Sequence, residues 1–238
     1  YIHQFDPNNI SAGFTEILNF PFNANREFAW SFSGGIGDFW TAWKSGWSPD
    51  KNFSDNGADP QPIVADIEFT ETGDLVIGII DRFSYQAGHL NYEGLSGNTQ
   101  EFKESGAGDI LRACQVDGNY YIEGSVQCPT NDLNSGGDFK TNDGPLGAGE
   151  FYYDDYFDQN TGGADHLEIS LGGLALFLGT NEVLNTVYDP LNGQGNSEFR
   201  TQGVHWYATQ TGALADNFKI VEQSDNNSAG SQGKGAGI

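Results

Sequence analysis

At 238 residues the chain is long enough for one substantial core or two small ones. Its 33 acidic against 10 basic residues leave a formal charge of −23, which weighs strongly against a nucleic-acid partner and against docking on anionic lipid, since both need clustered Lys and Arg. No stretch approaches the roughly 20 apolar residues of a membrane span, and no basic-then-apolar leader is present.

Strand signals dominate from the start. Residues 1–20 (YIHQFDPNNISAGFTEILNF) match only the second half of a repeat that recurs later, with Phe14 in register with Phe218 and Ile17 with Val221. They are expected to form half of a four-stranded unit. Met is absent even at position 1, so the first residue is not a retained translational start, and a processed or truncated chain is expected.

An aromatic insertion follows at 23–60. Phe28, Trp30 and Phe32 alternate as a strand face would, while Trp40, Trp43 and Trp47 recur at helical spacing after Asp38. Exposed indoles stack on sugar rings, so Trp30, Trp40, Trp43 and Trp47 are a candidate glycan platform. The favoured alternative is that these rings fill gaps between sheets or an interface, where Trp contributes large apolar area.

The segment 62–124 reads as one four-stranded unit. Asp66 to Asp81 (DIEFTETGDLVIGIID) is an apolar strand, a Gly-containing turn, a second apolar strand and a closing Asp; Gly108 to Glu123 (GDILRACQVDGNYYIE) supplies a second pair. The run Leu75 to Ile80 is apolar throughout, as for a strand covered on both faces. Cys114 lies in the third strand, just before an Asp117-Gly118 turn. A simple hairpin register places it opposite Tyr121, so a bond to Cys128, the only other cysteine, requires the chain after Gly124 to fold back. Such a disulfide is expected, in preference to two free thiols in a reducing compartment.

Two loops then share Asp-x-Asn-x-Gly-Gly. In the first, Asp132 and Asn134 precede the glycines, with Asp138 and Asp143 as further oxygens; in the second, Asp158 and Asn160, with Asp165 and Glu168. Alternating oxygen side chains followed by Gly can wrap a hard cation, so calcium is the candidate cofactor. Neither loop completes the calcium-loop pattern, and plain turn formation is the alternative.

The segment 167–222 repeats the plan of 62–124. Gly173 to Asp189 (GLALFLGTNEVLNTVYD) matches Asp66 to Asp81, and in Gly203 to Val221 Ala208 and Gln210 fall in register with Ala113 and Gln115. Residues 224–238 are nearly devoid of apolar side chains and read as a flexible tail. A four-stranded unit repeated in tandem points to propeller blades. The fold expected is therefore all-β, a β-propeller or partial propeller of antiparallel blades spanning 1–223, whose half blade exposes strand edges that invite another strand.

Charged residues stand beside the apolar strands: Asp66, Glu68, Asp81, Arg82, Asp109, Arg112, His166 and Glu168. Propeller hydrolases use carboxylates so placed as acid, base or nucleophile, but Asp81 with Arg82 and Asp109 with Arg112 read equally as ion pairs, because buried carboxylates are costly unless paired. No nucleophile elbow, phosphate loop or dinucleotide pattern occurs.

The succession FDPNNISAGFTEILNFPFN, PIVADIEF, GDLVIGIIDRF, GDILRAC, GEFYYDD, HLEISLGGLAL, VYDPLN and GVHWYATQTGA resembles the propeller segment of large secreted bacterial surface proteins that carry SdrD B-like or similar immunoglobulin-type repeats. The resemblance runs over nearly the whole chain. It implies an extracellular, cell-surface module of a longer protein and brings no catalytic residues with it. The expected role is a non-enzymatic structural or adhesion module, partnered by other copies of itself or adjoining segments. A calcium-stabilised lectin-like propeller is the second reading and a polysaccharide-acting hydrolase the third.

Overall fold

The computed structural model describes residues 1–22, 40–43, 60–87, 89–92, 101–103, 108–130, 144–147, 149–157, 168–191 and 201–221. Strands β1 (Ile2–Phe5) and β2 (Phe14–Leu18) pair as an antiparallel hairpin. Then come β3 (Pro62–Phe69), β4 (Leu75–Asp81), a short helix α1 (Arg82–Ala87), a small hairpin of β5 (His89–Tyr92) and β6 (Glu101–Lys103), β7 (Asp109–Val116) and β8 (Asn119–Ile122). The last four strands are β9 (Ser170–Phe177), β10 (Glu182–Tyr188), β11 (Gln202–Ala208) and β12 (Leu214–Val221). Two antiparallel four-stranded sheets result, ordered β3-β4-β7-β8 and β9-β10-β11-β12. Each sequence repeat is thus one four-stranded meander, interrupted in the first by α1 and the β5–β6 hairpin. Among the described residues the sheets do not close into a barrel or a propeller ring. No helix among them is long and apolar enough to cross a membrane.

The uniformly apolar β4 explains how the layers stack. Alternation sends Leu75, Ile77 and Ile79 to one face, where Leu111, Ala113 and Ile122 join Ile2, Leu18, Phe20 and Trp40 in a core under the β1–β2 hairpin. Val76 and Ile110 go to the other face, where they meet Leu174, Val183 and Tyr207 of the second sheet with Phe151 and Tyr152. Each such Leu, Ile or Val side chain stabilises the fold by about 1.5–3 kcal/mol when fully buried. Trp40 is therefore a core residue.

The two sheets meet backbone to backbone. A β-carbon on Gly78 would collide with the carbonyl oxygen of Gly172, and one on Gly172, whose φ is +74°, with Ile80 and Ala65. Gly108 N–H donates to Ser170 O at 2.8 Å, joining the start of β7 to the start of β9. Nearby, Asp66 Oδ2 accepts the Leu174 N–H at 3.1 Å.

In the first sheet β7 and β8 turn through Asp117 (φ 50°) and Gly118 (φ 80°), two left-handed residues as a tight two-residue hairpin requires. Cys114 stands opposite Tyr121. The chain then folds back through a Ser125–Cys128 bridge, and Cys114 and Cys128 form the disulfide with Cα atoms 5.4 Å apart. Replacing both cysteines by Ala is expected to lower stability by about 3 kcal/mol, the entropy of closing a loop of roughly 15 residues in the unfolded chain. Denaturant melts of the variant and of the reduced parent measure it, and identical midpoints with and without reductant would contradict the estimate.

Candidate metal centre

Four carboxylates converge where the two sheets touch. Asp109 is the first residue of β7, and Glu168 lies two residues before β9; the Gly108–Ser170 bridge brings these two strand ends together. Tyr188 Oη donates to the Glu168 carbonyl oxygen at 2.6 Å and fixes that backbone. Glu150 and Asp155 come from the connecting segment 149–157. Phe151 and Tyr152 anchor its early part in the inter-sheet core, and Phe157 anchors its end against Ile169, Leu171, Val187 and Tyr188. With aromatic anchors at both ends, the acids between and beside them are turned inward. One oxygen from each of Asp109, Glu150, Asp155 and Glu168 lies within 4.8 Å of the others, and the residues are only 4, 7, 2 and 1 % exposed.

Four carboxylates this close repel one another when ionised. Two unit charges about 4 Å apart repel by about 4 kcal/mol at an effective dielectric of 20, and the several pairs here together exceed the ~5–15 kcal/mol that stabilises an ordinary domain. A cation within the group would offset that repulsion. A fifth acid stands at its edge: Glu123 is 1 % exposed, and its pKa is held well above the usual carboxylate range by burial and then by Asp109. Its Oε2 accepts the Arg112 N–H at 2.7 Å, but Glu123 Oε1 and the hydroxyl of neighbouring Tyr152 are buried with no hydrogen-bond partner. Arg112 offers little relief. Its Nε and Nη2 donate to Asp74 Oδ2 at 3.0 and 2.6 Å, and its guanidinium covers the Phe151 ring.

The Glu123 shift has a definite sign. A carboxylic acid whose folded pKa is raised binds its proton more tightly when folded, so its contribution is full below the ordinary value of 4.5 and is lost as pH rises through the folded pKa. Glu123→Gln keeps an oxygen to accept the Arg112 N–H and removes the ionisation. In chelator, the melting temperature of the variant relative to the parent is expected to rise as pH climbs above the ordinary carboxylate range toward the raised folded pKa; a flat difference would refute the assignment.

On the second sheet, Tyr207 is fully buried and its ring packs edge-on against Tyr152, with centroids 5.5 Å apart. The carboxylates of Asp155, Asp154, Glu150 and Glu168 add to burial in raising its hydroxyl pKa. Its Oη lies 3.0 Å from His205 Nδ1, and His205 Nε2 lies 2.9 Å from the Pro190 carbonyl oxygen. Burial depresses the His205 pKa to about 4, which keeps the ring neutral near pH 7.

The residues singled out from sequence are dispersed. Asp132, Asn134, Asp138, Asp143, Asp158, Asn160, Asp165 and His166, like Trp30 and Trp47, lie outside the described residues. Trp43 is 61 % exposed, but its indole N–H donates to Pro62 O at 2.7 Å and Arg82 lies 4.9 Å from its ring centre. Asp81 is buried and accepts the N–H groups of Gln61 and Phe83. Arg112, expected beside Asp109, makes its ion pair with Asp74. Asp109 and Glu168 do enter the cluster. Glu150 and Asp155 were not anticipated, although the run Glu150-Phe151-Tyr152-Tyr153-Asp154-Asp155-Tyr156-Phe157, acids framed by aromatics, carried the signal. Comparisons with protein-family models, curated proteins and solved structures found no match.

Proposed function

We propose that this chain is a non-enzymatic, extracellular structural module whose stacked sheets are fastened by a calcium ion held by Asp109, Glu150, Asp155 and Glu168. The observation that carries the reading is the enclosure of four carboxylates within 4.8 Å of one another at the junction of two sheets. Ligand oxygens 2.3–2.6 Å from one ion span at most about 5 Å, so a single calcium can touch all four. Magnesium fits less well, because it holds its waters and seldom takes an all-protein cage. Beside Asp109, the Glu123 Oε1 is also buried without a hydrogen-bond partner.

Burial of the acids supports a structural over a catalytic role, since a glycoside must reach between two carboxylates with one face open. The disulfide and the strongly acidic composition suit an oxidising exterior with abundant calcium. Exposed Phe5 and Phe14 on the hairpin, and Phe177, Phe218 and Ile220 on the second sheet, give the surfaces an apolar character that suits adhesion, to other copies or to adjoining segments of a longer surface protein. The deciding experiment is a calorimetric titration of calcium into chelator-treated protein. One ion per chain, with magnesium competing poorly, is expected. Absence of binding, together with equal melting temperatures in calcium and in chelator, would reject the reading.

A further inference from the structure

A cleft of about 290 Å³ opens where the β1–β2 hairpin meets β8, an edge of the first sheet; Glu16, Asn19, Tyr120, Tyr121, Ser125 and Leu146 are among the residues lining it. Among the described residues β2 pairs only with β1 and β8 only with β7, so two strand edges border the opening with outward main-chain donors and acceptors. An inserted peptide strand does not fit between them. Cα atoms of β2 and β8 come within 8 Å of one another, whereas a strand between two others needs about 9.6 Å, twice the usual spacing. A smaller ligand does fit. The volume lies at the small end of ligand clefts, about 300–1,000 Å³.

The lining states the chemistry of that ligand. Tyr120 and Tyr121 are half-buried and Leu146 is 51 % exposed, which gives apolar surface; Glu16 and Asn19 are exposed, leaving a carboxylate and an amide open to hydrogen bonding. No Lys or Arg lines the cleft and the chain carries a charge of −23, which disfavours an anion. One carboxylate is too few for a hard cation. A neutral ring of hydroxyls meets both demands, since its C–H face packs on aromatic rings while its hydroxyls donate and accept. The walls are also preformed. Ser125 N–H donates to Ile122 O and Ser125 O accepts the Cys128 N–H, both at 3.2 Å, so the disulfide-bonded fold-back holds one side. Leu146 is held at φ 67° and ψ 11°, a left-handed backbone disfavoured for this residue. Burial of its side chain does not explain the strain, because half of it is exposed; strain of this kind collects at ligand clamps.

We infer that the cleft between β2 and β8 binds the terminal unit of a neutral saccharide, with Tyr120 and Tyr121 as the apolar wall, Glu16 and Asn19 holding hydroxyls, and Leu146 as a further apolar contact. The site is separate from the cation reading, because none of Asp109, Glu150, Asp155 and Glu168 lines the cleft.

The test is an array of neutral glucans, galactans, mannans and chitin oligomers beside sulfated and uronic-acid glycans. Calorimetric titration of the tightest neutral glycan, and of its free terminal disaccharide, into the parent and three variants follows. The parent is expected to bind within the neutral set; binding of the disaccharide alone would point to a soluble sugar, and of the longer glycan to a chain end, and either upholds the site. Tyr121→Ala should weaken binding by about tenfold, the value of an aromatic contact. Glu16→Gln, at an exposed position, should weaken it by about threefold or more, because a hydroxyl bonds a carboxylate more strongly than an amide. Leu146→Gly should weaken binding without lowering the melting temperature, since glycine accepts the left-handed backbone. A merely structural Leu146 would leave affinity unchanged. An array that shows no neutral glycan bound, or equal affinity in all three variants, overturns the inference and leaves the structural-module reading standing. Tighter binding of an acidic glycan by Glu16→Gln overturns the neutral ligand. Should Tyr121→Ala fail to fold, the Glu16 and Leu146 variants decide.

Discussion

Gly78→Ala is expected to destabilise the protein by about 3 kcal/mol or more, and Gly172→Ala by at least as much. The reasons differ. At Gly78 an added β-carbon meets the Gly172 carbonyl oxygen, so one sheet must lift off the other; overpacking of this kind usually costs about 1–3 kcal/mol, and lifting also strips contacts from the shared core around Val76, Ile110 and Leu174. At Gly172 the clash is with Ile80 and Ala65, and a φ of +74° adds left-handed strain of about 1–2 kcal/mol. Gly118→Ala is the internal control. Its φ is +80° but no heavy atom lies within 4 Å of the added carbon, so only the strain of about 1 kcal/mol should appear. Urea melts of the three variants separate the contributions: if Gly78→Ala melts with the parent, the close approach of the two sheets is wrong.

That close approach was half legible in the sequence. The period-2 alternation and the continuous apolar run Leu75 to Ile80 betray a strand buried on both faces, and the tandem match of 62–124 with 167–222 betrays two copies of one meander. Both signals are local, because they depend on which way successive side chains point. Even the fold-back after Gly124 follows from the hairpin register that sets Cys114 against Tyr121. How one sheet lies on the next is not local. It depends on glycines whose role appears only when two backbones meet, and nothing in the run Leu171-Gly172-Gly173-Leu174 names Gly78 as the partner.

The carboxylate cluster was less legible for the same reason. Sequence spacing finds cation sites whose ligands share one loop, so the Asp-x-Asn-x-Gly-Gly loops at 132–137 and 158–163 drew the calcium expectation. The carboxylates that converge are spread from Asp109 to Glu168 over two strand ends and an irregular segment, and a bridge between sheets assembles them. Composition hinted at the chemistry, with 33 acids against 10 bases, without locating it. Arg112 shows the corresponding error: Asp109 is its near neighbour in sequence, but the turn between β3 and β4 delivers Asp74 to its guanidinium.

Glu168→Gln should change sign with calcium. In chelator the parent crowds four buried carboxylates, and trading one for an amide removes a charge while supplying a donor to a neighbouring acid. Replacing buried charge in this way commonly stabilises by about 1–4 kcal/mol, so the variant is expected to melt above the parent by roughly 5 °C for a chain of this size. In calcium the order reverses. The parent gains about 2.7 kcal/mol when the ion is at a hundred times its dissociation constant, whereas the variant has lost an anionic ligand and gains little. Differential scanning calorimetry at pH 7 in both media gives the answer from four curves. If the charges were satisfied by protein donors, Glu168→Gln would lower the melting temperature equally in both. If they await a cation, the curves cross, and the crossing would identify the junction of the two sheets as an ion-dependent clamp.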